Sequence, residues 1–234
     1  MYLTVPVVSL TSVAHLVSDL NSRGYGFIPD YLAPRDLEKA QIFVANAISQ
    51  SGKEYVHFNG PDPVAGSGLE ELAVSADFEA LMHAVYEMGT GRSAKPEKYY
   101  QVLRCLAGKS GQKNSLIFHY DSYVVTALLP ICIPKTGMRG DLLMYPNTRK
   151  IRNSYLANGV DKLLLDNPAS QWALRSRVNA SVLKPLRVKM EPGNLYFFWG
   201  YRSIHTNEPC DENQIRATAL FHYHNPHRKP APSI

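Results

Sequence analysis

Residues 115–133 read SLIFHYDSYVVTALLPICI, and the fold class follows from how this run is interpreted. It is rich in β-branched and aromatic side chains, as are 99–107, 141–145, 186–190, 194–199 and 215–224, and Gly, Pro and Asn separate these runs. Such a texture predicts a series of short strands. On a strand, residues i and i+2 point to the same face. His119 and Asp121 therefore present an imidazole and a carboxylate side by side.

Upstream of residue 98 the periodicity is helical. In 11–22, Val13, Leu16, Val17 and Leu20 share one face, and Arg23-Gly24 closes the helix. A short strand is expected at 26–29. Further helices are expected over 34–50, with Leu37, Ala40, Phe43, Val44 and Ile48 on the apolar stripe, and over 77–88, ending at Gly89. The run 59–68 (NGPDPVAGSG) reads as a loop. Residues 154–177 look helical, an insert in the β framework. Helices followed by many short strands predict a mainly β, α+β fold: a double-stranded β-helix, jelly-roll and cupin-like, with helical support. The expected layout is one domain over 1–234, with support at 1–97 and a jelly-roll core at 98–226 that carries the insert near 150–180.

The chain has 234 residues, 45% of them hydrophobic, enough to bury a core of that size. Its 25 basic and 20 acidic residues give a net charge of +5, with a pI near 9.0. This balance suits anionic ligands, and the charges are scattered, so no nucleic-acid-binding arm is expected. Cys105, Cys132 and Cys210 lie far apart and form no CxxC pair, which points to a reducing compartment. The apolar start, Met1 to Leu10, lacks the basic region of a signal peptide, and no apolar run is long enough to span a membrane. A soluble cytoplasmic protein, monomeric or homodimeric, is expected.

A metal site needs a third ligand, and His205, in Ser203-Ile204-His205-Thr206-Asn207, is the candidate. Two imidazoles and one carboxylate on one face of a metal leave positions open for O2 and a bidentate co-substrate, an arrangement suited to ferrous iron. Ten residues separate His205 from Arg216, and Thr218 shares the strand face of Arg216. A guanidinium grips a carboxylate bidentately and a nearby hydroxyl adds a hydrogen bond, as the distal carboxylate of 2-oxoglutarate requires.

The pattern His-x-Asp, a distant His, then Arg with Thr two residues beyond resembles the iron(II)/2-oxoglutarate-dependent oxygenases over roughly 99–226. Leu20-x-x-x-Gly24-Tyr25-x-x-Ile28-Pro29 and Pro192-Gly193-Asn194-Leu195 look like the phytanoyl-CoA-hydroxylase-like branch. The stretch 193–224 is similar to small bacterial enzymes that hydroxylate or halogenate free amino acids. The resemblance implies His119, Asp121 and His205 on Fe(II), and Arg216 with Thr218 on 2-oxoglutarate. It implies a dioxygenase that hydroxylates a small polar metabolite, a free or modified amino acid, with sugar acids or lipid-linked compounds as alternatives.

Three other functions compete. A halogenase replaces the metal carboxylate by Gly or Ala, whereas Asp121 is present. Nucleic-acid demethylases of the superfamily carry a second Arg six residues after the anchor, where this chain has His222. A non-catalytic, metal- or sugar-binding barrel would not need intact ligand and anchor positions. Arg104, Asn207 and His222 are candidate substrate residues. Gln101 and Arg104 lie on opposite strand faces, so at most one of them faces the pocket. His222 reads as a pocket residue beside the site rather than part of a second metal centre with His224 and His227.

Overall fold

The structure is a computed structural model and describes residues 3–152 and 154–227. The first two residues of the apolar start, and the part of the expected domain beyond residue 227, lie outside the described residues. Helix α1 (Leu10–Ser22) leads into β1 (Tyr25–Ile28), followed by α2 (Pro34–Ser51), β2 (Tyr55–Asn59), α3 (Leu69–Ala73) and α4 (Ala76–Thr90). Then come β3 (Tyr100–Leu106), α5 (Ser110–Lys113), β4 (Val125–Cys132) and β5 (Leu142–Tyr145). The helical insert is α6 (Tyr155–Asp166) and α7 (Pro168–Ser176). Strands β6 (Leu186–Val188), β7 (Leu195–Phe198), β8 (Ile204–Asn207) and β9 (Arg216–Tyr223) complete the chain.

The strands form two antiparallel sheets. The larger has the order β1-β7-β4-β9-β3-β2 and the smaller β6-β5-β8. The smaller gains a fourth line through the isolated bridge of His119 to His205 on β8. Antiparallel strands divided between a six-stranded sheet and a four-line sheet in this order make a jelly roll.

Strand parity divides the interior. On β9, Ala217, Ala219, Phe221 and Tyr223 join a core that includes Val13, Leu16 and Leu20 of α1 and Phe78, Met82 and Val85 of α4. Their even-numbered neighbours Arg216, Thr218, Leu220 and His222 line a cavity on the other face. A second apolar cluster, including Leu128, Leu142, Met144, Val188 and Phe198, fills the space between the sheets. Both faces of the larger sheet are covered at its inner strands β4, β7 and β9, which therefore read as nearly continuous apolar runs.

Several expectations change in detail. The run 115–133 is not one strand. His119 pairs with the smaller sheet and β4 with the larger, so the chain must cross between layers at the bends of 122–124. The insert breaks at Asn167, whose side chain accepts from Ser170 N and caps α7, with Pro168 opening that helix. Helix α4 runs through Gly89 and stops at left-handed Gly91 (φ 66°). Gly89 instead makes room for Trp199, whose Cη2 would lie 2.0 Å from a Cβ there. The N-terminal region supplies β1 and β2, the two edge strands of the larger sheet, besides its helices. No helix among the described residues is long and apolar enough to cross a membrane.

Candidate metal and co-substrate site

His119 and His205 sit opposite each other on adjacent lines of the smaller sheet. Each backbone N–H donates to the other residue's carbonyl at 3.0 Å. This pairing brings the ring centroids within 4.5 Å. His119 Nδ1 lies 2.9 Å from the Ile117 carbonyl and His205 Nδ1 lies 3.0 Å from the Ser203 carbonyl. A carbonyl oxygen can only accept, so Nδ1 is the protonated nitrogen in both rings. Both Nε2 lone pairs are thereby left for a metal, the tautomer that such backbone bonds commonly fix.

Asp121 completes the cluster. Its Oδ1 is 3.7 Å from His119 Nε2 and its Oδ2 is 3.5 Å from His205 Nε2. One donor atom from each of the three residues lies within 4.8 Å of the others. The Asp121 N–H donates to Gly200 O at 3.0 Å, fixing the turn that aims the carboxylate. Burial pushes the Asp121 carboxyl up, but the neighbouring His205 and His222 outweigh it and hold the group well below the usual carboxylate range. The donor set, two imidazole nitrogens and an ionised carboxylate, fits a divalent ion of the ferrous type, whose binding would displace any proton from the imidazoles.

Two residues that sequence reasoning missed hold this carboxylate. Thr126 on β4 donates its hydroxyl to Asp121 Oδ2 at 2.5 Å. That uses its single proton, so at 3.1 Å its oxygen accepts from His222 Nδ1. Gly200 packs against both, and a Cβ there would lie 2.3 Å from Asp121 Oδ2 and from Thr126 Oγ1. Nothing local in the sequence distinguishes either residue from an ordinary strand threonine or turn glycine.

The cavity of about 350 Å³ is lined by His119, Asp121 and His205, and by Arg216, Thr218, Arg104, Asn207 and His222. Gln101, on the opposite face of β3, is buried away from it and donates to Leu69 O. Arg216 is 4% exposed. Its Nε donates to Gly140 O at 2.7 Å, which leaves the rest of the guanidinium without a hydrogen-bond partner among the described residues. Left-handed Gly140 (φ 73°) allows this approach, since a Cβ there would lie 2.5 Å from Arg216 Cδ. Burial lowers the Arg216 pKa to about 10, so it remains cationic at neutral pH. A buried cation without a fixed anion is costly, and an anionic ligand removes that cost. The site residues thus fit the distal carboxylate of 2-oxoglutarate as well.

His222 is buried and stacks on Tyr123 and Tyr100, with centroids 5.4 and 5.9 Å away. Asn207 lines the cavity while its amide donates to Glu208 O at 2.9 Å. His224 turns away to Glu97, and His227 meets Tyr201.

No family model and no curated protein sequence matches the chain. Solved structures do. A prolyl hydroxylase from Trichoplax adhaerens, in complex with a hypoxia inducible factor oxygen degradation domain peptide, aligns with a TM-score of 0.60 at 16% identity over 92% of this chain and 90% of that one. A prolyl-4-hydroxylase from Pseudomonas putida aligns at 0.56 and 15% identity, over 95% of this chain and 97% of that one. A 2OG-Fe(II) oxygenase family oxidoreductase from Burkholderia pseudomallei aligns at 0.53 and 10% identity, over 96% and 95%. The chain has the fold of the 2OG-Fe(II) oxygenases. These neighbours cover the helical support and the insert as well as the jelly roll, so the likeness is to the whole architecture.

Proposed function

We propose that the protein is an Fe(II)- and 2-oxoglutarate-dependent oxygenase that hydroxylates an unactivated C–H bond of a small polar metabolite, a free or modified amino acid. The observation that carries this reading is the convergence of two free imidazole Nε2 atoms and an ionised carboxylate on a cavity that also holds the open guanidinium of Arg216. His119, Asp121 and His205 would hold the iron, and Arg216 with Thr218 would hold 2-oxoglutarate. When bound, the ion and its co-substrate supply the oxidising power, consuming O2 and releasing CO2 and succinate.

The protein's part is binding, orientation and exclusion of water. The backbone bonds at Nδ1 of His119 and His205 aim both Nε2 atoms at the cluster, and Thr126 fixes the orientation of Asp121. The guanidinium of Arg216 orients the co-substrate by its planar fork. Leu128, Leu142, Phe198 and Leu220 line the cavity with apolar surface, which limits water beside the reacting carbon. Asp121 occupies the coordination position that a halide would need, which favours oxygen transfer over halogenation. Six residues beyond Arg216, His222 is committed to Thr126, which supports a small substrate rather than a nucleic acid.

The runs at 20–29 and 192–195 support the phytanoyl-CoA-hydroxylase-like branch. A cytoplasmic setting belongs to the same proposal, supported by three free cysteines. Succinate release with a panel of amino acids, followed by mass spectrometry of the products, tests it. A substrate gaining one oxygen atom is expected. Products unchanged across amino acids but oxidised among sugar acids would displace the substrate assignment.

A further inference from the structure

Arg104 on β3 lines the same cavity as the metal cluster, yet its side chain makes no hydrogen bond and no ion pair with any described residue. It pairs in register with Thr218 and therefore shares the cavity face with Thr218 and Arg216. The two arginines differ in depth. Arg216 is buried at the base, whereas Arg104 is exposed at the mouth with Tyr55 and Asn114. Arg104 thus belongs to the cavity rather than to the outer surface.

Charge balance shows what is missing. Among the described residues, Asp121 is the one acidic residue lining the cavity. With a divalent ion and a doubly charged 2-oxoglutarate in place, two guanidinium groups and the metal face one protein carboxylate and two co-substrate carboxylates. One positive charge is left over, and it is Arg104. A guanidinium favours a planar, two-oxygen anion. We infer that Arg104 is the anchor for a carboxylate carried by the oxidised substrate, which enters at the mouth and is held with its C–H bond toward the metal cluster. This rests on the oxygenase reading and narrows its substrate class to monocarboxylates. The side chains around the mouth, Tyr55, Asn114 and Asn207, offer neutral hydrogen bonds for the substrate's other polar groups.

The test uses unmodified protein, Arg104→Gln and Arg104→Lys. Each is given Fe(II), 2-oxoglutarate and a panel of amino acids, N-acetyl amino acids and 2-hydroxy acids, every acid paired with its primary amide. Succinate formed above the substrate-free rate is measured, together with the 2-oxoglutarate half-saturation and Mn(II) affinity. Compounds that stimulate turnover should be acids, with amides weaker by about tenfold or more, the range for losing a hydrogen bond to a charged group. Arg104→Gln should lose that discrimination and Arg104→Lys keep part of it, while Mn(II) affinity and the 2-oxoglutarate requirement stay within about twofold. Stimulation by amides as strong as by acids overturns the inference, as does a panel with no active acid. So does an Arg104→Gln protein whose defect is in 2-oxoglutarate binding. In those cases substrate-free succinate formation shows that the oxygenase reading still stands. Absence of any succinate from the unmodified protein removes both.

Discussion

Gln171 on α7 makes with Phe118 the pair of hydrogen bonds that a neighbouring strand would make. Phe118 N donates to Gln171 Oε1 at 3.1 Å and Gln171 Nε2 donates to Phe118 O at 2.7 Å. One edge of the segment bearing His119 is thus paired with β8 and the other with a side chain. Further contacts from the insert reach the same segment. Arg175 donates to Leu116 O, Lys162 to Ser122 Oγ, and the Arg149 guanidinium, bound to Asp161, lies 3.8 Å from the centroid of Tyr120. The insert therefore holds the chain on both sides of the proposed ligands His119 and Asp121.

Replacing Gln171 by Met keeps the volume and removes both bonds, together with the one Gln171 Nε2 donates to Leu165 O. Phe118 is buried, so its N–H and C=O would be left unpaired, at a cost on the order of 1–3 kcal/mol for each group. A lower thermal midpoint and a Mn(II) affinity weakened about tenfold are expected, by scanning calorimetry and metal titration. A variant with unaltered metal affinity would show that β8 alone positions the ligand segment.

Thr126→Val removes a hydroxyl without changing shape. Asp121 loses a donor and His222 loses an acceptor. Metal affinity should fall about 10- to 100-fold, the range for outer partners of metal ligands, with the fold retained by circular dichroism. Equal Mn(II) binding in the variant would mean that the carboxylate is held by its backbone turn and not by Thr126.

Arg216→Lys keeps the charge but loses the planar fork. The 2-oxoglutarate requirement should rise steeply in steady-state assays while Mn(II) binding is unaffected. Arg216→Ala should cost about 2–5 kcal/mol of co-substrate binding. Normal co-substrate affinity in the Ala variant would assign the anchor to another residue.

Asp121 should keep the reaction one of oxygen transfer. In chloride or bromide buffer, with a turned-over substrate, only oxygenated product is expected by mass spectrometry. Asp121→Gly opens the coordination position, and uncoupled 2-oxoglutarate decay is expected there, since placing a substrate nearer halide than hydroxyl takes more than one substitution. Halogenated product from the unmodified protein would refute the assignment.

Strands β4 and β9 gave the clearest signal in the sequence, because burial on both faces leaves a nearly unbroken apolar run. Strand β2 was not read, although Val56 and Phe58 alternate with polar and exposed neighbours, because it lies at a sheet edge between a helix and a Gly-Pro loop. Strand β8 was not read because its four residues, IHTN, include one apolar side chain, so no apolar run marks it. His119, Asp121, His205, Arg216 and Thr218 were legible because their types and spacing suggest a chemistry, and the structure gathers them around one cavity. Thr126, Gly200 and Gln171 were not. Each matters through a partner brought near by the fold, and Gln171 meets Phe118 across 53 positions of chain.

Succinate formation from 2-oxoglutarate, without any prime substrate, tests the oxygenase reading most directly. The unmodified protein, given Fe(II), 2-oxoglutarate and O2, should form succinate slowly, and formation should stop when Fe(II) is withheld or when His205 is replaced by Ala. Mn(II) titration should show that His205→Ala has lost metal affinity while keeping its fold. Succinate formation that persists unchanged in folded His205→Ala, or that never depends on Fe(II), would contradict the assignment of His119, Asp121 and His205 as the metal site of an oxygenase.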